Sequence, residues 1–173
     1  IVYKEGEIKK GRNLLAYEVA KRNVLNFLKL EIDALKKGDT IKIIALEQTY
    51  ERTLTHPSLP FPILIKGNVD RIEERTTTED GKRIRIIDYK TGKVDKANVT
   101  LKTWNGLTED IKNDKIIQVL AYAFMYESQT NGIPVEAGII SFKNLKSGFL
   151  PFTFKDDKEE FKNITSDILD NYI

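Results

Sequence analysis

Gly67-Asn68-Val69-Asp70-Arg71-Ile72 and, a short way on, Ile86-Ile87-Asp88-Tyr89-Lys90-Thr91-Gly92 decide how this chain reads. They lie in two strand-like segments, Ile63 to Arg75 and Arg83 to Lys90, joined through Glu79-Asp80-Gly81, the pattern of an antiparallel hairpin. Side chains alternate between the faces of a strand, so Asp88 and Lys90 point one way and Tyr89 the other. An apolar strand that sets Asp and Lys on one face needs a reason, because such charges are costly to bury unless paired or bound to a metal.

The turn decides whether Asp70 joins them. A three-residue loop of Glu79, Asp80 and Gly81, with Gly81 left-handed at a bulge, pairs Thr78 with Lys82. Counting back, Asp70 falls opposite Lys90 and Ile72 opposite Asp88, so Asp70, Asp88 and Lys90 share a face. A two-residue Asp80-Gly81 loop would shift the register by one and separate the carboxylates. Their convergence therefore requires an odd loop or an intervening bulge.

Upstream, Gly11 to Lys37 has helical periodicity, with an apolar stripe of Leu14, Leu15, Val19, Leu25, Leu28, Ile32 and Leu35. Gly38-Asp39 is its stop. Thr40 to Glu51 reads as a strand, and the proline-rich His56 to Pro62 as a loop. Downstream, residues 94 to 113 are weakly patterned and polar, an irregular excursion. Asp114 to Gln129 reads as a helix buried through Ile117, Leu120, Ala121 and Phe124. Val135 to Lys143 and Gly148 to Phe154 read as a strand pair, and Asp156 to Tyr172 as a closing amphipathic helix. The order is helix, three strands, helix, two strands, helix. That order predicts one α/β domain, residues 1–173, around a mixed sheet flanked by helices.

With 173 residues, 40% of them hydrophobic, the chain is long enough for one well-packed core. No segment approaches the roughly 20 apolar residues of a membrane span, and no secretory leader is visible. Cysteine is absent, which removes disulfides, thiolate zinc sites and iron–sulfur clusters. These features suggest a cytoplasmic protein. The net charge of +2 does not by itself mark a nucleic-acid binder. The chain begins at Ile1, as a piece of a larger protein would.

Two carboxylates and an ammonium on one patch suit phosphodiester hydrolysis. Mg²⁺ takes one or two protein carboxylates and completes its octahedron with water and phosphate. It acidifies a bound water and neutralises charge on the phosphate, and a neighbouring lysine can position that water or stabilise the charge. Without metal the carboxylates repel, apart from what Lys90 offsets.

Gly-x-x-Asp-Arg-Ile, then Ile-Asp-Tyr-Lys-Thr-Gly, then Gln118-x-x-x-Tyr122 on a helix resembles the RecB-family nuclease domain of the PD-(D/E)XK superfamily, as in bacterial helicase–nuclease repair complexes. The resemblance runs from about Glu47 to Tyr126. It implies a restriction-endonuclease-like fold and a Mg²⁺- or Mn²⁺-dependent DNA exonuclease in repair or recombination, working beside a helicase domain or subunit. It makes Asp70 and Asp88 the metal-binding carboxylates, the Tyr89 carbonyl a backbone ligand and Lys90 the catalytic lysine. Gln118 and Tyr122, four apart and so on one helix face opposite the core stripe, would orient DNA and Lys90. The family usually carries a histidine on an upstream helix, and Gly11–Lys37 has none. The expectation is thus a fragment lacking an upstream element and feebly active alone.

Plainer readings stand beside these. Asp88–Lys90 is also the pattern of a surface ion pair, and Asp70 that of a turn residue. Gln118 and Tyr122 are equally ordinary on an exposed helix face. Glu47, which could approach a metal, and Glu51 read as solvated strand positions, and His56 as loop decoration. Arg71, Arg75, Arg83, Arg85, Lys93 and Lys96 suit either a DNA path or a solvated charged face. Trp104 and Tyr126 read as packing residues, although Trp104 could stack on an unpaired base. The rival function is a non-catalytic DNA-binding or scaffolding module that retains the nuclease fold. A glycosidase fits poorly, because Asp-x-Lys on one strand does not place two carboxyls across a cleft.

Overall fold

A computed structural model describes residues 10–57, 59–155 and 159–173. Helix α1 (Gly11–Lys36) leads into three antiparallel strands, β1 (Thr40–Leu54), β2 (Ile63–Thr77) and β3 (Gly81–Lys90). After the two-residue β4 (Thr100–Leu101) come helix α2 (Asp114–Tyr126), β5 (Val135–Ser141) and β6 (Phe149–Pro151). The chain closes with β7 (Thr153–Lys155), β8 (Glu160–Phe161) and helix α3 (Ser166–Tyr172). The main sheet has the order β1-β2-β3-β5-β6, with β3 and β5 parallel and the other neighbours antiparallel. A small sheet, β4-β7-β8, stands beside it. This is the expected mixed α/β sheet flanked by helices.

The parallel β3–β5 pairing requires a crossover, and α2 supplies it. Ile116, Val119, Leu120 and Ala123 of α2 join Ile72, Ile84 and Ile86 in the core. Each fully buried aliphatic side chain there contributes roughly 1.5–3 kcal/mol. Ile117 and Ala121, expected in the core, are only half-buried, so the core face is turned from the expected stripe. The polar-looking stretch after β3 also belongs to the core: Val94, Val99, Leu101 and Leu107 are buried, Val99 at the end of a 3₁₀ turn and Leu101 on β4.

Three further expectations need correction. The predicted strand Gly148 to Phe154 is broken at buried Phe152, so β6 stays in the main sheet and β7 leaves for the small one. The closing helix is shorter than Asp156 to Tyr172, because Glu160–Phe161 pairs with Phe154 and Lys155 as a strand; residues 156–158 lie outside the described residues. Helix α3 then starts where the Thr165 side chain caps the Ile168 N–H. Finally, the apolar stripe of α1 does not enter the core. Among the described residues no α1 side chain is buried, and Leu25 and Leu28 remain about half exposed, at 50% and 48%.

Helix α1 rests on the sheet face opposite α2, through half-buried Asn23, Phe27, Glu31 and Ala34. Phe27 meets Tyr89 and Phe142 edge-on, with ring centroids 5.6 and 6.1 Å apart. That face holds buried Ile87 and Ile140 but sets charges among them. Arg71 pairs with Glu73 and with Glu31 (2.9 Å), and Arg75 with Asp39 (2.8 Å). Arg85 pairs with Glu136 at 2.9 Å. These arginines are thus tied into an internal ionic network rather than laid along a DNA path. Burial pushes the Glu73 carboxyl above its usual range, against the pull of Arg71.

Candidate active site

The hairpin turn is odd, as the site requires, but it starts one residue earlier than expected, which shifts the pairing by two. Thr77 pairs with Gly81 and Thr76 with Lys82, so Thr78, Glu79 and Asp80 form the loop in place of Glu79, Asp80 and Gly81. Gly81 is left-handed at φ 70°, and the Asp80 N–H donates to Thr77 Oγ1. The expected pairings of Thr78 with Lys82, Asp70 with Lys90 and Ile72 with Asp88 are therefore replaced; Ile72 faces Ile86. A shift of two leaves every side chain on the face where the expected register put it.

The β2–β3 ladder runs as far as Arg71 opposite Ile87. Beyond it the Asp70 carboxylate takes over, with Oδ2 accepting from the Tyr89 N–H at 2.7 Å. On the other side of β2, Leu46 pairs with Arg71 and Gln48 with Val69, which leaves Glu47 and Asp70 as an unpaired position between them. Glu47 has φ 47°, a left-handed conformation that costs a non-glycine residue about 1–2 kcal/mol. Its carboxylate accepts from Asn68 Nδ2 at 3.0 Å. Glu47 is exposed, as a solvated strand position would be, yet its charge reaches Tyr122. No sequence signal marks a glutamate for this backbone.

Asp88 and Lys90 stand at the end of β3. Asp88 is 3% exposed, and Lys90 Nζ lies 3.1 Å from its Oδ1 and 2.8 Å from its Oδ2. Only the Oδ1 contact has hydrogen-bond geometry, so Oδ2 is buried without a hydrogen-bond partner. Burial pushes the Asp88 carboxyl above the usual range. Lys90 opposes that shift and the nearby Asp70 charge reinforces it. Lys115, on the first turn of α2, also acts on Asp88; sequence reasoning had passed over it.

From α2, Gln118 Oε1 accepts from Lys90 Nζ at 2.7 Å, and Gln118 Nε2 donates to the Tyr122 hydroxyl oxygen at 2.8 Å. Lysine can only donate, so the amide must turn its oxygen to Lys90 and its NH₂ to Tyr122. The Tyr122 O–H is then left to donate elsewhere. Tyr122 is 9% exposed, at the border of the core and not on a face opposite it. Burial, with Asp88, Asp70 and Glu47 as neighbours, pushes its hydroxyl above the ordinary range against the opposing pull of Gln118. Gly67 makes room for this ring: a Cβ there would lie 3.3 Å from Tyr122 Cε1 and 3.1 Å from Met125 Cε.

The structure thus gathers Asp70, Asp88, Lys90, Gln118 and Tyr122 around one end of β3, with the Tyr89 backbone among them. Trp104 stays apart, stacked on Phe154 at 5.3 Å, and Tyr126 meets Tyr50 edge-on. His56 lies exposed in the β1–β2 loop.

The family model of the PD-(D/E)XK nuclease superfamily matches residues 6–171. The chain belongs to that superfamily. No curated protein matches it. Among solved structures, one described as "Crystal structure of SSO0001" is 14% identical and aligns over 91% of this chain and 58% of its own, with a TM-score of 0.30. The PD-(D/E)XK superfamily consists generally of nucleases, typically dependent on divalent metals. Among the described residues of this member, no group of three or more His, Asp or Glu side chains is arranged to hold an ion. What it offers is sparser but of the right kind. Asp88 Oδ2, buried with an ion pair to Lys90 but no hydrogen bond, sits near the Asp70 carboxylate and the Tyr89 backbone, and the two carboxylates are hard oxygen donors suited to Mg²⁺ or Mn²⁺.

Proposed function

We propose that the chain is a metal-dependent deoxyribonuclease, an exonuclease of the RecB type, that hydrolyses DNA phosphodiesters in repair or recombination beside a helicase. The observation that carries the reading is Asp88: a buried carboxylate with one oxygen lacking a hydrogen-bond partner, next to a second carboxylate and a lysine. Such a group is costly in the metal-free protein and is relieved by a cation.

Asp70, Asp88 and the Tyr89 carbonyl would hold Mg²⁺ or Mn²⁺. When bound, the ion supplies an acidified water and charge neutralisation at the phosphate. Lys90, fixed between Asp88 and Gln118, presents its remaining N–H to a phosphate oxygen or to the attacking water. Gln118 holds Lys90 and Tyr122 in register, and the Tyr122 O–H donates to a second phosphate oxygen. Lys115 adds positive charge on the same side.

A crystal soaked in Mn²⁺ tests this by anomalous scattering. A peak at Asp88 and Asp70 supports the reading. Binding of DNA without any ion at these carboxylates would favour the non-catalytic module.

A further inference from the structure

Two lysines act on the buried Asp88, and they come from different elements. Lys90 stands at the end of β3. Lys115 stands on the first turn of α2, one turn before Gln118 and two before Tyr122. At 100° per residue these three α2 positions fall within about 60° of one another, so α2 turns one polar stripe towards the end of β3. From Lys115 to Tyr122 the helix rises about 10 Å.

The middle of the stripe is engaged, with Gln118 bound to Lys90 through its oxygen and to the Tyr122 hydroxyl through its nitrogen. Its two ends are the donors left for a ligand. Tyr122 keeps its O–H, and the Lys115 ammonium rests on its chain neighbour Asp114, with Nζ 3.0 and 3.4 Å from the two carboxylate oxygens. The Asp114 side chain is 57% exposed, and an ion pair so open to water contributes little, so a phosphate can replace it. The Lys115 side chain is 27% exposed against 29% for Lys90, which sets both at the rim of the site and not in open solvent. The two pairs also reach one another electrostatically: the charge of Lys115 acts on Asp88, and that of Lys90 on Asp114.

A phosphate at the carboxylates is met by Lys90 and Tyr122, which Gln118 ties together. Lys115 lies beyond Gln118, at the other end of the stripe, on the path of the same strand. Lysine suits that place, because its ammonium is a point charge on a flexible stem and demands no fixed angle.

We propose that Lys115 is a substrate-binding residue that leaves Asp114 for the DNA phosphate next to the scissile one, so the site takes a polynucleotide strand in preference to an isolated phosphodiester. The inference deepens the nuclease reading and rests on it, while the Lys115 contact can be measured by binding alone.

DNA binding in Ca²⁺ and cleavage in Mn²⁺, both with the whole chain, test it. In Ca²⁺, Lys115→Gln should bind about three- to tenfold more weakly than wild type at low salt, and its slope of log affinity against log salt should be shallower by roughly 0.7–0.9, one phosphate contact. Lys115→Arg keeps the charge and should keep the wild-type slope. In Mn²⁺, an uncharged methylphosphonate on one side of the cut bond should lower kcat/KM about tenfold for the wild type. For Lys115→Gln the same replacement should cost less than about twofold, since that variant has no contact to lose. A Lys115→Gln slope equal to wild type overturns the proposal, as do equal losses by both proteins on every methylphosphonate. Slopes that differ as expected without any cleavage would support the Lys115 contact and sink the nuclease reading instead. A wild type that does not bind DNA would overturn both.

Discussion

Asp88→Asn should stabilise the metal-free protein at neutral pH. The wild-type carboxylate is 3% exposed, and its raised pKa means that burial and Asp70 together outweigh the attraction of Lys90. Neutralising it removes a buried charge whose effective desolvation runs to several kcal/mol, and loses a Lys90 attraction nearly as large. Lys90 is not stranded, because it keeps Gln118 and its side chain is 29% exposed. The net gain is on the order of 1 kcal/mol, which for a chain of this size raises Tm by about 2–4 °C. The pH dependence has a definite sign. A carboxyl whose folded pKa lies above its unfolded value costs stability as pH rises through that folded pKa, and the cost vanishes below the unfolded value near 3.8. The gap between variant and wild type should therefore be widest at pH 7 and close as the pH falls towards 4. Differential scanning calorimetry in chelator measures both. A variant less stable than wild type at pH 7, or a gap that does not narrow in acid, would refute the reasoning. Saturating Mn²⁺ should reverse the order by stabilising only the wild type.

Gly67→Ala would set a methyl 3.3 Å from the Tyr122 ring and 3.1 Å from Met125, so the ring must shift a few tenths of an ångström. We expect a stability loss of about 1 kcal/mol in urea melts and a several-fold drop in any cleavage rate, as small displacements near chemistry produce. Glu73→Ala should cost about 2–4 kcal/mol, below the upper range for a broken buried ion pair, because Arg71 keeps Glu31 and Tyr89; a loss under 1 kcal/mol in a urea titration would contradict the buried network. DNA affinity should fall steeply with salt, as counterion release requires, and Lys90→Ala should leave it within a few-fold of wild type. Filter binding at several salt concentrations checks both.

The chemistry of this chain was more legible than its packing. Asp88 and Lys90 could be placed from strand alternation alone, whereas Asp70 joins them only with an odd loop, which the sequence left open beside a two-residue Asp80-Gly81 turn. The loop moved by one residue and the pairing by two without harm, since parity, not the pairing itself, determines the face. Glu47 could not be read in the same way. Its left-handed backbone arises where β1 and β2 fail to pair beside Asp70, a tertiary effect with no local residue preference behind it. The helices failed for a different reason. Periodicity shows that a helix has an apolar face but not which neighbour covers it. So the stripe of α1 read like a core stripe, while the sheet beneath it holds Arg71, Glu73 and Arg75. Tyr122 looked like an exposed partner of Gln118 because spacing puts the two on one face, yet that face borders the core.

Incubating the chain with end-labelled linear DNA in saturating Mn²⁺ measures the central claim most directly, with Lys90→Ala and Asp88→Asn beside the wild type. The account predicts cleavage by the wild type that chelator abolishes, a rate lower by about a hundredfold or more in Lys90→Ala, and none above background in Asp88→Asn. DNA that the wild type binds in Mn²⁺ and leaves intact, or cleavage that survives in Asp88→Asn, would contradict it.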